Sequence, residues 1–71
     1  MLFENILPEL RNGKNFRRKK DFTRNGFYFL KLEENVFNWY HYSRSDEDSI
    51  IVKYGLSSAE ILSEDWELLK D

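Results

Sequence analysis

Two strongly strand-forming runs, Phe27–Leu32 and Val36–Tyr42, flank the triplet Glu33-Glu34-Asn35. β-branched and aromatic residues at this density, joined by so short a polar break, predict an antiparallel hairpin with a three-residue loop. Side chains alternate across a strand. Phe27, Phe29 and Lys31 therefore share one face, and Tyr28, Leu30 and Leu32 the other. In the second run Val36, Asn38, Tyr40 and Tyr42 oppose Phe37, Trp39 and His41. Aromatic rings thus occur on both faces. One face must be covered from within the chain. The other is too apolar to leave wet, which predicts a subunit interface.

Size sharpens that expectation. A chain of 71 residues is a single domain, residues 1–71, and its own core is marginal. Chains this small usually add disulfides, a metal or a partner subunit. With no cysteine and a single histidine, His41, disulfides and thiolate or His-rich metal sites are excluded. Good packing and oligomerisation remain, so a homodimer or homotetramer is expected. No run approaches the roughly 18 apolar residues needed to span a bilayer. Together with the cysteine count, this predicts a cytoplasmic protein with no membrane partner.

The remaining elements follow from local patterns. Phe3, Ile6, Leu7 and Leu10 recur at helical spacing and Gly13 suits a helix end, so a short or kinked helix is expected from Phe3 to Asn12, with Pro8 as its complication. Lys14–Lys20 reads as a basic strand at a sheet edge. Residues Asp21–Gly26 form a loop, and Ser43–Asp48 a charged one. Ser49–Tyr54 is a further strand ended by Gly55. Ser57 or Ser58 caps a single helical turn, and Asp65–Leu69 closes the chain as a last strand. The fold class is α+β: a short N-terminal helix packed on a mainly antiparallel sheet of 4–5 strands, with one helical turn before the last strand.

Charge is segregated. Residues 1–31 carry eight basic groups and three acids, whereas residues 46–71 carry eight acids and two lysines. Such asymmetry points to an anionic partner at the basic end, or to mutual neutralisation of the two ends. The overall charge of −2 disfavours nucleic acid as the partner.

No catalytic set emerges. His41 lies mid-strand between tyrosines, the acid clusters Glu33-Glu34 and Asp46-Glu47-Asp48 fall in turns, and no glycine-rich phosphate loop exists. The chain is expected to be a binding protein without catalytic residues, cofactor or metal. Its clearest polar feature is the run Gly13–Lys20. Arg17 and Arg18 point to opposite faces of a strand, so either can meet phosphate while the other faces solvent. Aromatic rings nearby can stack on a nucleobase. The alternatives are a solvated edge strand and rings that belong to the core.

The segment Tyr54-Gly-Leu-Ser57-Ser-Ala-Glu60-Ile61-Leu62-Ser63-Glu-Asp65-Trp66-Glu67 resembles the closing motif of a family of small phage and prophage proteins that includes the Thoeris anti-defense 2 proteins. Phe3 with its apolar helix, the Gly13-Lys14 turn and the Arg-Lys run at 17–19 resemble the family's opening. Two tryptophans usual in the family are Phe22 and Tyr54 here, and an aspartate is Glu60. The resemblance implies a sponge that binds a cyclic ADP-ribose isomer or cyclic oligonucleotide between protomers without hydrolysing it. It carries ligand contact to Arg17 or Arg18, Phe22, Tyr54, Ser57 and Glu60. The competing expectation is a protein–protein inhibitor of a host defence or nucleic-acid enzyme that acts through its charged surface, the acidic C-terminal half imitating nucleic acid or docking on a basic groove.

Overall fold

The computed structural model describes residues 1–69. Helix α1 (Phe3–Arg11) is followed by strand β1 (Phe16–Arg18), a 3-10 turn (Lys19–Asp21) and strand β2 (Phe22–Thr23). The long strands β3 (Gly26–Glu33), β4 (Val36–Ser43) and β5 (Asp48–Tyr54) come next, then the helical turn α2 (Ser58–Ile61) and strand β6 (Trp66–Leu68). They form one six-stranded sheet in the order β5-β4-β3-β1-β6, with β2 also paired to β3 and every pairing antiparallel. The α+β class stands. The strand count rises to six because the expected loop over Asp21–Gly26 contains β2, whose Phe22 and Thr23 pair with Phe27 and Gly26.

The central hairpin forms as its alternation demands, with Phe29 opposite Tyr40 and Leu30 opposite Trp39. Its loop has two residues rather than three: Glu33 still pairs with Val36, and Glu34 and Asn35 both take positive φ (50° and 65°). That is the turn whose twist matches the flanking strands. Helix α1 begins at Phe3 and runs through Pro8. Ile6 and Leu10 of α1 meet Phe16, Leu30, Trp39 and Trp66 to make the core, all of them at most 4% exposed. Trp39 stacks on Trp66 at 5.7 Å, and Phe3 packs against Phe37 and Trp66, both at 5.8 Å.

The basic run departs from expectation in two ways. Its extended part is only Phe16–Arg18, because Lys19–Asp21 turn in a 3-10 helix whose last residue, Asp21, accepts the Arg18 backbone N–H at 3.2 Å. It is also interior rather than at an edge, lying between β3 and β6. The partner that makes this tolerable is the acidic C-terminal strand: Arg17 sits opposite Glu67 and Arg18 opposite Trp66. Segregated charge along the sequence becomes juxtaposed charge in the sheet.

Candidate anion pocket on the uncovered sheet face

Helix α1 covers the face bearing Leu30, Trp39 and Phe16. The opposite face bears Phe27, Phe29, Tyr40 and Tyr42, with Phe29 stacked on Tyr40 at 5.2 Å and Phe27 on Tyr42 at 5.2 Å. Strands β1 and β2 run successively along one edge of β3, so Arg17 and Phe22 converge on this face. The Arg17 guanidinium lies over the Phe22 ring, 3.6 Å from its centroid, and 5.7 Å from that of Phe27. The Phe22 and Phe27 rings meet edge-on at 5.9 Å. Arg44, from the turn after β4, sits 5.9 Å from Phe22 on the same side. Arg17, Phe22, Phe27, Arg44, Glu67 and Leu68 wall a shallow cavity of about 630 Å³.

The arginine is pre-positioned. Its Nε donates to Glu67 Oε1 at 2.8 Å, leaving the terminal guanidinium nitrogens for another acceptor. The ring beneath it fixes the plane of the fork by a cation–π contact. Phe22 is 46% exposed, so a planar group has a face to stack on. A cavity with two guanidinium groups beside an exposed ring, Phe22, and a half-buried one, Phe27, can hold an anion attached to a flat ring.

The other residues expected at the site lie elsewhere. Arg18 turns to the covered side, where its Nε donates to Asp65 Oδ1 at 2.9 Å. Burial pushes the Asp65 carboxyl up, but the Arg18 hydrogen bond and charge, a backbone N–H and the Lys20 charge together outweigh it and hold the group below its usual range. Ser57 and Glu60 cap α2 reciprocally: Ser57 N–H donates to Glu60 Oε1 at 2.8 Å, and Glu60 N–H to Ser57 Oγ at 3.2 Å. Glu60 also meets Lys53 at 3.1 Å and lines a cavity of about 300 Å³ with Asp21, Tyr28 and Trp39, on the helix side of the sheet. Burial raises Glu60 as well, and donation from Ser57 and Lys53 outweighs it, so the carboxyl stays ionised. Tyr54 pairs with Asn38, on the same face as Arg17 but three strands away, about 14 Å by strand spacing. Within one protomer, then, the fold brings together Arg17 and Phe22. Arg18, Tyr54 and the Ser57–Glu60 pair each lie apart.

Phe27, Arg44 and Glu67 join the pocket without having been singled out by sequence. Phe27 was legible as sharing a strand face with the exposed side of the hairpin. Arg44 and Glu67 arrive through non-local pairing that no local pattern encodes. Among the described residues no three His, Cys, Asp or Glu side chains cluster in the manner of a metal site.

No curated protein and no solved structure matches the chain. Residues 1–69 do match the Thoeris anti-defense 2-like domain, nearly the entire length, and that match includes the helix, the Arg-bearing strand, Phe22 and the capped turn around Ser57. The chain belongs to the Thoeris anti-defense 2-like family.

Proposed function

We propose that this chain is a phage anti-defence sponge that sequesters a cyclic nucleotide immune signal in the host cytoplasm, without hydrolysing it. The observation that carries the reading is the Arg17–Phe22 pair: a guanidinium with free terminal donors, held flat on an exposed ring, with Arg44 beside it. Phosphate oxygens meet the arginine forks, which match them two at a time. The base or ribose edge lies on Phe22 and Phe27. Tyr54 enters the same site only if another protomer supplies it across the uncovered faces, and Arg18, Ser57 and Glu60 only if a protomer presents its helix side to the Arg17 pocket, so the reading includes a homo-oligomer. The anti-defence character of the family supports a role that needs affinity and abundance rather than turnover.

Titration calorimetry with cyclic ADP-ribose isomers and cyclic dinucleotides tests this. At least one is expected to bind, to raise the melting temperature by mass action, and to be recovered intact after the protein is denatured. Arg17→Ala is expected to weaken that binding about tenfold or more while moving stability by less than about 1 kcal/mol. Full binding by folded Arg17→Ala would remove the pocket from the proposal, and recovery of a cleaved product would remove the sponge.

A further inference from the structure

Tyr54 and the hairpin turn border a second, open cavity on the uncovered face, of about 440 Å³, with chemistry opposite to that of the Arg17 pocket. Glu33, Glu34, Asn38, Tyr40, Ile51 and Tyr54 line it. Asn38 is the buried polar residue of the sheet, 7% exposed, and its Oδ1 has no hydrogen-bond partner. Its amide cannot simply be turned over, because Nδ2 donates to Glu33 Oε1 at 3.0 Å. Tyr40 donates its hydroxyl to the same carboxylate oxygen. These two donations, Tyr40 foremost, keep Glu33 ionised by holding its carboxyl below the usual range. Both are spent on Oε1. The second oxygen, Oε2, has only Lys31 Nζ at 3.8 Å, the limit of an ion pair.

The site is therefore built of acceptors: a fixed carboxylate whose second oxygen has only the long Lys31 ion pair, a second carboxylate in Glu34, and a buried carbonyl that lacks a donor. Burying such an acceptor unpaired is unfavourable, and a ligand N–H removes the penalty. The walls are the rings of Tyr40 and Tyr54, whose faces attract cations, and the aliphatic side chain of Ile51. Tyr54 is 71% exposed, so its ring is free to turn and admit a ligand to the floor. We propose that this cavity binds an organic cation: a guanidinium or primary ammonium head carried on a short apolar stem. The head donates to Glu33 Oε2 and Asn38 Oδ1, the stem lies along Ile51, and Tyr54 closes over it. A phosphate is excluded by the two carboxylates, so this site is independent of the Arg17 pocket and does not rest on it.

Agmatine, which carries both heads on a four-carbon stem, is the probe, and 1,4-butanediol is its neutral counterpart. The Asn38 side-chain amide resonances are followed by ¹⁵N-edited NMR at constant ionic strength. Saturable agmatine shifts at Asn38, absent with butanediol and weakened about tenfold or more in Glu33→Gln, are expected. Glu33→Gln keeps an oxygen for Asn38 and Tyr40 and removes only the charge, and a circular dichroism melt confirms its fold. Light scattering in parallel distinguishes the two sources of the cation: agmatine that dissociates an oligomer assigns the head to a basic side chain of a second copy, and unchanged mass assigns it to a free amine. Asn38 resonances that respond to agmatine no more than to butanediol, or equally in Glu33→Gln, overturn the proposal.

Discussion

A single methyl at residue 26 tests both the hairpin register and the pocket wall built on it. Gly26 pairs with Ser43, and a Cβ added there would lie 1.8 Å from the Tyr42 carbonyl oxygen and 2.9 Å from its carbon. Non-bonded heavy atoms rest at about 3.5–4.0 Å, and the obstructing atoms are backbone, so no rotamer change relieves the contact. Strands β3 and β4 must part locally by more than about 1 Å, which strains the ladder and the bond from Arg44 N–H to Asn25 O at 2.9 Å. Overpacking of this kind costs about 1–3 kcal/mol, and each lost ladder bond about 1 kcal/mol more. A domain of this size has roughly 3–5 kcal/mol in total. Taking about 3 kcal/mol, the middle of the range with one ladder bond lost, and about 4–8 °C per kcal/mol, Gly26→Ala should lower the melting temperature by about 12–24 °C. Gly13→Ala and Gly55→Ala are the internal controls. Their positions have positive φ (88° and 81°) but no atom within 4 Å, so only the left-handed backbone is penalised, at about 1–2 kcal/mol. Circular dichroism melts of the three variants decide the matter. A Gly26→Ala melting temperature no lower than that of Gly13→Ala would show that β3 and β4 are not in the described register, and the stacking of Phe27 on Tyr42 would fall with it.

Ser57→Ala should cost about 1 kcal/mol, as the loss of a helix cap does, seen as a lower denaturant midpoint with an unchanged slope. Acid should weaken the fold through Glu33: its lowered carboxyl contributes stability that is present above the ordinary value of 4.5 and lost as pH falls through the folded one, so denaturation midpoints of Glu33→Gln measured from pH 7 to pH 2 should fall less than those of the parent. The uncovered aromatic face should associate, and light scattering at high micromolar concentration should give a multiple of 8.7 kDa; a monomer there would refute the interface.

What the sequence made legible was whatever repeats locally. Period-two alternation grouped the residues of Phe27–Leu32 and Val36–Tyr42 by face as the strands pair them, and helical spacing found α1 with Ile6 and Leu10 inward. The Ser57-x-x-Glu60 spacing is itself the signature of a reciprocal cap, and the structure uses it so. Non-local pairing was not legible. The run of arginines and lysines resembles a solvated edge until β6 supplies Glu67 and the residue before β6 supplies Asp65 against it, some 50 residues along the chain for the Arg17–Glu67 pair. Strand β2 is two residues long, too short for any periodicity. The two-residue turn requires a positive φ at Glu34, which glutamate rarely adopts, so composition favoured the longer loop. The convergence of Arg17 with Phe22 needed both the sheet face, which was readable, and the 3-10 turn between them, which was not.

Glu67 shows how a chain of net charge −2 can present an anion pocket. It cancels much of the Arg17 charge, yet it also engages Nε and leaves the terminal nitrogens of the fork for another acceptor. The two effects separate by substitution. Glu67→Gln retains a carbonyl oxygen for Nε and removes the negative charge; Glu67→Ala removes both. Side-chain exposures of 18% for Arg17 and 31% for Glu67 place the pair in partly screened surroundings, so its loss should cost no more than about 1 kcal/mol of stability. If Arg17 receives an anion, Glu67→Gln should bind the nucleotide found by calorimetry more tightly than the parent, several-fold at low salt and less as salt screens the field. Glu67→Ala should gain less, because its guanidinium must be ordered on binding. Weaker binding by Glu67→Gln than by the parent would mean that the carboxylate contacts the ligand itself, and the assignment of phosphate to Arg17 would be wrong.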